Sequence, residues 1–497
     1  NQQGKLIFFE LKALNKMPLD VQLFRADQGG NPELIKDSQK KRFKDPKIVD
    51  EVIAFDTKAR KSVGDLDNLK KQARLLSIKI GNINKQAKKD KRQLTDEEKK
   101  EIETIKTSKA QNEVEQKKLT ALVDEYLNKR DGLIYKIGNI VWNKNVVVSN
   151  DEANNKIMKK FTPNGFKILD GKVNKGLKHH HELLYMIGGY EPERGVSVCG
   201  HRGYFLTGYG VLLNMALQQY GIQFLLKHGY KPVYPPFFMN KDMMSKTAQL
   251  EDFDESLYHV KGENVDKEKY LIATSEQPIS AMHYNEYLTS DDLPIKYAGI
   301  STCFRKEAGS HGKDAWGIFR VHQFEKIEQF VYCKPSESER YHNEMIGIAS
   351  KFYETLNIGY EIVSIVSGEL NNAAAIKYDL EGWFPTLSCY RELVSASNCT
   401  DYQARAMNTR FGFPTKKGGN KKAKKEYVHM LNATLVATTR TLCCILENYQ
   451  TDDGIHVPKV LQPYMGGTDF IPFVRPPPEN LQKKKKKQNN KNKSKTN

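Results

Sequence analysis

Long apolar runs are missing from this 497-residue chain. No stretch approaches the roughly 18–20 consecutive apolar residues that cross a bilayer, which excludes a helical membrane span and leaves no membrane partner expected. Cysteine is sparse: Cys199, Cys303, Cys333, Cys389, Cys399, Cys443 and Cys444, with no CxxC spacing. That argues against a disulfide scaffold and a zinc ribbon and fits a reducing cytosol. Acid is in deficit, 60 Asp and Glu against 78 Lys and Arg, for a formal net charge of +18. Such an excess favours a polyanionic partner, nucleic acid ahead of a membrane surface. The length accommodates roughly two to four domains. Residues 1–16 contain neither arginine nor serine, unlike a mitochondrial leader, and are read as an N-terminal extension, with a leader as the lesser alternative.

What is present first is a heptad seam. Ile48, Val52, Phe55, Ala59, Ser62, Leu66, Leu69, Ala73, Leu76, Ile80, Ile83 and Ala87 are separated by alternating steps of four and three. This predicts a helix of roughly 60 Å at about 1.5 Å per residue. A helix-start signature, Thr95-Asp96-Glu97-Glu98, then opens a second seam through Ile102, Ile105, Leu119, Val123, Tyr126, Leu133, Ile137 and Ile140. Polar residues interrupt it at Lys109, Asn112, Gln116 and Arg130, which predicts a loosely packed, flexible stretch. The short connection forces an antiparallel coiled-coil hairpin. Its first helix is basic, with Lys70, Lys71, Arg74, Lys79, Lys85 and Lys88 among nine cations and one acid in residues 70–92. Such a run is ordinarily a solvated face; on a projecting hairpin it can track RNA phosphates. The Lys/Asn-rich end, residues 479–497, buries nothing and is expected to be a disordered basic tail, whether solubilising, RNA-binding or a nuclear-import signal.

Three later segments carry chemistry. Residues 225–239, LLKHGYKPVYPPFFM, read as a helix end followed by a proline-bearing strand. Proline lacks an amide donor, so this strand belongs at an edge or interface. Residues 299–332 read as strand, polar loop, strand. A period of two sets Cys303, Arg305 and Glu307 on one face, and Arg320, His322, Phe324, Lys326 and Glu328 on one face of the return strand. Phe319, Val321, Ile327 and Val331 take the opposite, core-packed side. A solvated sheet with interleaved ion pairs would look similar. An aromatic ring among arginines also suits a stacked base with guanidinium groups on its phosphates. In residues 427–448 an apolar strand ends near Leu431, and a helix starts around Ala433–Leu435 with Arg440 in its early turns, a setting that favours phosphate.

Together these segments resemble the three motifs of class II aminoacyl-tRNA synthetases, and most closely the eukaryotic cytosolic type of seryl-tRNA synthetase. The likeness runs from about Met17 to Pro478 and includes LDVQLFRADQGGNPELI, ATSEQP, FRKEAGSHGKDAWGIFRVHQFEKIEQF, RELVSASNCTDYQAR and HMLNAT. It implies an α+β chain: an N-terminal antiparallel helical coiled-coil arm, residues 17–145, and a catalytic domain, residues 146–478, built on an antiparallel β-sheet of six to seven strands flanked by helices. It further implies a cytoplasmic homodimer joined through the first motif. Its reaction would activate L-serine with ATP and pass the seryl group to the 3′-hydroxyl of serine tRNA, selenocysteine tRNA being left open as a second acceptor.

By that resemblance Arg305 would neutralise charge at the α-phosphorus, with Lys306 beside it. Glu307 would meet the adenine amino group, and Phe324 would stack on the ring, with Val321, His322 and Gln323 lining the nucleotide. Arg440 would grip the γ-phosphate. Glu392 and Ser395, from the Glu392-Leu393-Val394-Ser395 stretch, would hold Mg²⁺, a hard oxygen-seeking ion. Arg305, Glu392 and Arg440 form the implied catalytic set. Serine would be read by Thr274, Ser275, Glu276, Arg305, Glu328 and Asn432; a helix cap is the plain alternative for Thr274–Glu276. The six basic arm residues would contact tRNA. Trp316 stands where related enzymes often carry arginine, and His179, His180 and His181 would pack at the start of the catalytic domain, without metal. The rival readings are a non-catalytic synthetase-like RNA-binding protein and a class II enzyme for threonine or proline.

Overall fold

The computed structural model describes residues 17–163, 176–247, 256–262, 268–307, 317–412 and 426–478. The N-terminal extension, the basic tail and Trp316 lie outside the described residues. The chain divides into two compact units, one of Leu19–Lys40 with Lys44–Ile137, the other holding Met17–Pro18, Lys41–Phe43 and the described residues from Gly138 to Pro478.

The first unit is dominated by α1 (Lys47–Lys89) and α2 (Asp96–Lys136). Every seam position expected on α1 is buried or half-buried, while Lys70, Lys71, Arg74, Lys79, Lys85 and Lys88 are all exposed. The turn closes as the helix-start signature requires. Thr95 Oγ1 accepts from Glu98 N at 3.2 Å, and Glu98 Oε2 accepts from Thr95 N at 2.9 Å. The polar interruptions of the second seam do not leave it loose. Asn112 is 9% exposed and its Nδ2 donates to the Leu69 carbonyl of α1 at 3.2 Å, with Gln116 donating to Asn112 at 2.6 Å. A buried amide satisfied across the interface fixes the pairing of the helices, as a polar seam residue does in coiled coils.

Nearer the base, Asp56 lies between Arg25 (2.7 Å) and Arg130 (3.0 Å), and Arg130 also reaches Asp131. Burial works to raise the Asp56 carboxyl, but the hydrogen bonds from Arg25 and Arg130 outweigh it and hold its pKa below the usual value. The native pKa is depressed, so this contribution is present above the unfolded value of about 3.9 and is lost as pH falls through the lower native one. Asp56→Asn leaves three arginines, Arg60 at 3.3 Å among them, without their shared anion and should cost the arm about 3–5 kcal/mol. Hydrogen exchange in α1 and α2 should accelerate at pH 7 and be nearly unchanged elsewhere in the chain.

The second unit is built on an eight-stranded sheet, counted among the described residues. Its strands are β1 (Lys156–Phe161), β2 (Lys231–Val233), β3 (Ile295–Phe304), β4 (Gln323–Cys333), β5 (Tyr360–Ser364), β6 (Ile376–Phe384), β7 (Cys389–Asn398) and β8 (His429–Ala437). They run in the order β1-β5-β6-β7-β8-β4-β3-β2. All neighbours are antiparallel except β2, which pairs parallel with β3 and carries Pro232 at the sheet edge, where a missing amide costs nothing. The count exceeds the six or seven strands expected. Helices α3 (Gly208–Lys227), α4 (Ser338–Thr355) and α5 (Thr438–Asn448) pack on the sheet. Leu217, Phe352, Leu442 and Ile445 share their core with Ile327, Val331, Val394 and Val436. His180 packs on α5 through Glu447, Nδ1 to Oε1 at 3.1 Å.

Two expectations fail locally. The strand placed as ending near Leu431 continues to Ala437, and the helix begins only at Thr438. Ala433, Leu435 and Ala437 favour helix intrinsically, but β8 pairs with β7 up to Ala433 and with β4 all the way to Ala437, and tertiary pairing overrides propensity. Residues 317–322 are not strand: β4 begins at Gln323, so alternation does not extend back to Phe319 and Val321.

Candidate active site

A cleft opens on the sheet, and Arg305, Glu307, Phe324, Glu328, Glu392 and Arg440 all line it. Arg305 follows directly on β3 and is fixed by His322, the residue just before β4. Its amide donates to the His322 carbonyl at 2.9 Å, and His322 Nδ1 lies 2.9 Å from the Arg305 carbonyl. The guanidinium lies 5.3 Å from the centre of the Phe324 ring, within cation–π range, so cation and ring form one surface. Arg440, third residue of α5, lies 5.0 Å from the Phe319 ring centre and donates to Glu392 Oε2 at 3.0 Å. Desolvation raises the Glu392 carboxyl, yet Arg440 beside it wins and holds it below its ordinary value.

Glu392 reaches the cleft through an irregularity. Between the pairs Leu380↔Val394 and Glu381↔Glu392 the register slips by one residue, leaving Leu393 unpaired. In a regular strand the period of two would set Glu392 and Ser395 on opposite faces; the bulge puts both in the cleft. Gly382 makes the room, since a Cβ there would lie 2.3 Å from Leu393 Cδ1. A carboxylate and a hydroxyl form a sparse donor set. Among the described residues no group of three His, Cys, Asp or Glu side chains could hold a metal. That set fits Mg²⁺, which keeps few protein ligands and takes the rest from phosphate and water.

The other end of the cleft is a buried polar cluster. Glu328 is 1% exposed and pairs with Lys326, and its Oε2 accepts from Thr274 Oγ1 at 3.3 Å. Gln403 Nε2 donates to Glu276 Oε1 at 2.8 Å, and Asn432 lines the wall. Burial first, and then the Glu328 charge, push the Glu276 carboxyl up to about 7. An ammonium ligand needs that carboxylate ionised. Activation of the amino acid should therefore climb with pH up to about 7 and flatten above it, and Glu276→Gln should remove the climb. A pH series of kcat/KM for the amino acid checks this.

Five expected residues turn elsewhere. Ser275 is fully buried against Gly299, where a Cβ would lie 2.5 Å from its Oγ. Val394 faces the core on the far side of the sheet. His322 spends its ring on the Arg305 carbonyl, Gln323 is exposed, and Lys306 is tied by its amide to the Ser256 carbonyl at 3.0 Å. Conversely, Lys326, Ser397, Thr434 and Thr439 line the cleft without having been assigned to it. Thr434 follows Asn432, and Ser397 follows Ser395, by two residues, so strand periodicity alone could have found them. Asn371 also lines the cleft from outside the regular strands, and no sequence signal marks it.

Two family models match the chain: the seryl-tRNA synthetase N-terminal domain at residues 19–141, and the class II tRNA synthetase core domain (G, H, P, S and T) at residues 258–449. The cytoplasmic serine–tRNA ligase of Schizosaccharomyces pombe is 53% identical over 468 residues, covering 94% of this chain and 99% of its own. The chain belongs to the seryl-tRNA synthetase family. Among solved structures of this family, the cytoplasmic serine–tRNA ligase of Naegleria fowleri in complex with AMP superposes with a TM-score of 0.78 at 48% identity. That match covers 92% of this chain and 99% of the other. The seryl-tRNA synthetase of Pyrococcus horikoshii complexed with ATP gives 0.76 at 36%, covering 92% and 100%. Both carry a nucleotide, and both share the α+β architecture of a helical arm followed by an antiparallel sheet.

Proposed function

We infer that the chain is an ATP-dependent serine–tRNA ligase acting in the cytoplasm, the compartment named for its relatives. Among the described residues no helix is long and apolar enough to cross a membrane. The observation that carries the reading is a shared cleft lined by the guanidinium groups of Arg305 and Arg440, the Phe324 ring, the buried Glu328 carboxylate and the half-buried Glu276 carboxylate.

In the first step a serine carboxylate oxygen attacks the α-phosphorus of ATP. The new oxygen–phosphorus bond replaces the bond to the β-phosphate, and pyrophosphate leaves. Arg305, held by His322 and by Phe324, would neutralise the charge that builds on the α-phosphoryl oxygens without having to reorganise. Arg440, at the N-terminus of α5, would hold the far phosphates. Phe324 would take the adenine ring, with Glu307 at its amino group. Mg²⁺, when bound through Glu392 and Ser395 together with phosphate oxygens, would supply further charge neutralisation. At the amino-acid end Glu276 and Glu328 would receive the ammonium. Thr274, Asn432 and Thr434 supply hydrogen-bonding groups for the hydroxyl; a substrate lacking it would leave them unpaired, which disfavours alanine. In the second step the 3′-hydroxyl of the tRNA attacks the seryl carbonyl carbon and AMP departs.

The exposed basic residues of α1, Lys70, Lys71, Arg74, Lys79, Lys85 and Lys88, would grip the RNA backbone, giving the arm unit of residues 17–145 a tRNA-binding role beside the catalytic residues 146–478. A homodimer is the state we propose, because large apolar side chains of the first motif stand exposed: Tyr234 is 73% exposed, and Phe238 is also exposed. The non-catalytic reading is not favoured, since Arg305, Glu307, Glu392, Asn432 and Arg440 all meet in one cleft. Charging of total tRNA with labelled serine, threonine, alanine and cysteine tests the function; label should enter tRNA with serine alone.

A further inference from the structure

Between the residue suited to adenine and the residue suited to the ammonium lies a lysine. Phe324, Lys326 and Glu328 occupy alternate positions on one face of β4, and all three line the cleft. Lys326 is 6% exposed, and a buried ammonium is costly unless it is paired and hydrogen-bonded. Its Nζ pairs with Glu328 Oε2, and it lies 3.5 Å from Thr434 Oγ1 on β8. That same carboxylate oxygen accepts from Thr274, so two side chains from two separate segments converge on one atom.

The charge arithmetic of the cluster gives the lysine a task. Glu328 is buried and Glu276 half-buried beside it, the Glu328 charge opposes ionisation of Glu276, and Arg305, directly after β3, lines the same cleft. Around them stand Thr274, Gln403, Asn432 and Thr434, which are neutral. With Arg305 assigned to the α-phosphate, Lys326 is the cation left for the two acids; when both are ionised one negative charge remains, and an amino-acid ammonium cancels it. Without the lysine two carboxylates would compete for a single ammonium, and one would hold a proton instead.

We propose that Lys326 is a positioning residue for amino-acid recognition: it holds the Glu328 carboxylate aimed into the cleft and balances one of the two acids, so that the site binds one ammonium. Lys326 acts through Glu328, and the proposal rests on the amino-acid end of the cleft being read as above.

The test is ATP–pyrophosphate exchange by the full chain, with serine and ATP varied separately. If the wild type gives no serine-dependent exchange, the functional reading itself fails and this proposal with it. Given wild-type exchange, Lys326→Met should raise KM for serine by about 30-fold while KM for ATP moves less than about threefold. Raising the pH from 7 to 9 should recover part of the serine loss, as the isolated acid gives up its proton. Lys326→Arg, which keeps the charge, should remain within about tenfold of wild type. The double variant Lys326→Met/Glu328→Gln should be no worse than Glu328→Gln alone, because one residue works through the other. If Lys326→Met does not fold, that comparison carries the test by itself. A serine KM within threefold of wild type in Lys326→Met, equal losses for serine and ATP, or additive losses in the double variant would overturn the proposal.

Discussion

Replacing Arg305 by glutamine should slow serine-dependent ATP–pyrophosphate exchange about a thousandfold, with most of the loss in kcat. At about 1.4 kcal/mol per decade this is about 4 kcal/mol, the size expected when one pre-organised donor to a developing charge is removed. The expectation follows from how the residue is held. Its backbone is locked to His322 in both directions, and its guanidinium lies against Phe324. The charge is therefore in place before substrate arrives, and glutamine of similar length restores neither charge nor fork. Thermal unfolding should barely move, since the side chain points into a solvent-filled cleft rather than into the core. A variant that retained more than about a tenth of wild-type exchange would remove Arg305 from the catalytic set.

Excising the hairpin should separate the two half-reactions. Replacing residues 47–136 with a short glycine linker removes α1 and α2 while keeping Asn139, whose Nδ2 donates to the carbonyls of Ala373 at 2.8 Å and Cys399 at 2.9 Å. Every residue lining the cleft lies outside the excised segment, so exchange should stay within about threefold of wild type. Charging of tRNA should fall by about a thousandfold or more, because the exposed lysines of α1 would no longer meet phosphate. In the intact protein the same contacts predict charging that weakens steeply as salt rises while exchange does not. Full charging by the shortened protein would assign RNA binding to another surface.

What could be read from the amino-acid string depended on how local the determining signal was. The α1 seam was legible at every position because a heptad is a property of consecutive residues, and the Thr95 cap because its partners are three apart. The convergence of Arg305, Glu392 and Arg440 rested on resemblance; nothing in their spacing of 87 and 48 residues implies a shared cleft. Details set by pairing partners were hidden. The Leu393 bulge exists because β6 places Gly382 beside it, and the extension of β8 to Ala437 exists because β4 pairs with it that far. Lys326 looked like one charge among several on a sheet face, and only its burial against Glu328 distinguishes it from a solvated lysine.

The central claim is that one nucleotide lies along this cleft with a cationic side chain at either end of its polyphosphate. A crystal structure with a non-hydrolysable ATP analogue and serine tests it most directly. The account predicts adenine against Phe324, the Arg305 guanidinium at the α-phosphate, Arg440 at the γ-phosphate and the serine ammonium between Glu276 and Glu328. A nucleotide bound elsewhere, or bound here with both guanidinium groups turned away from its phosphates, would contradict it.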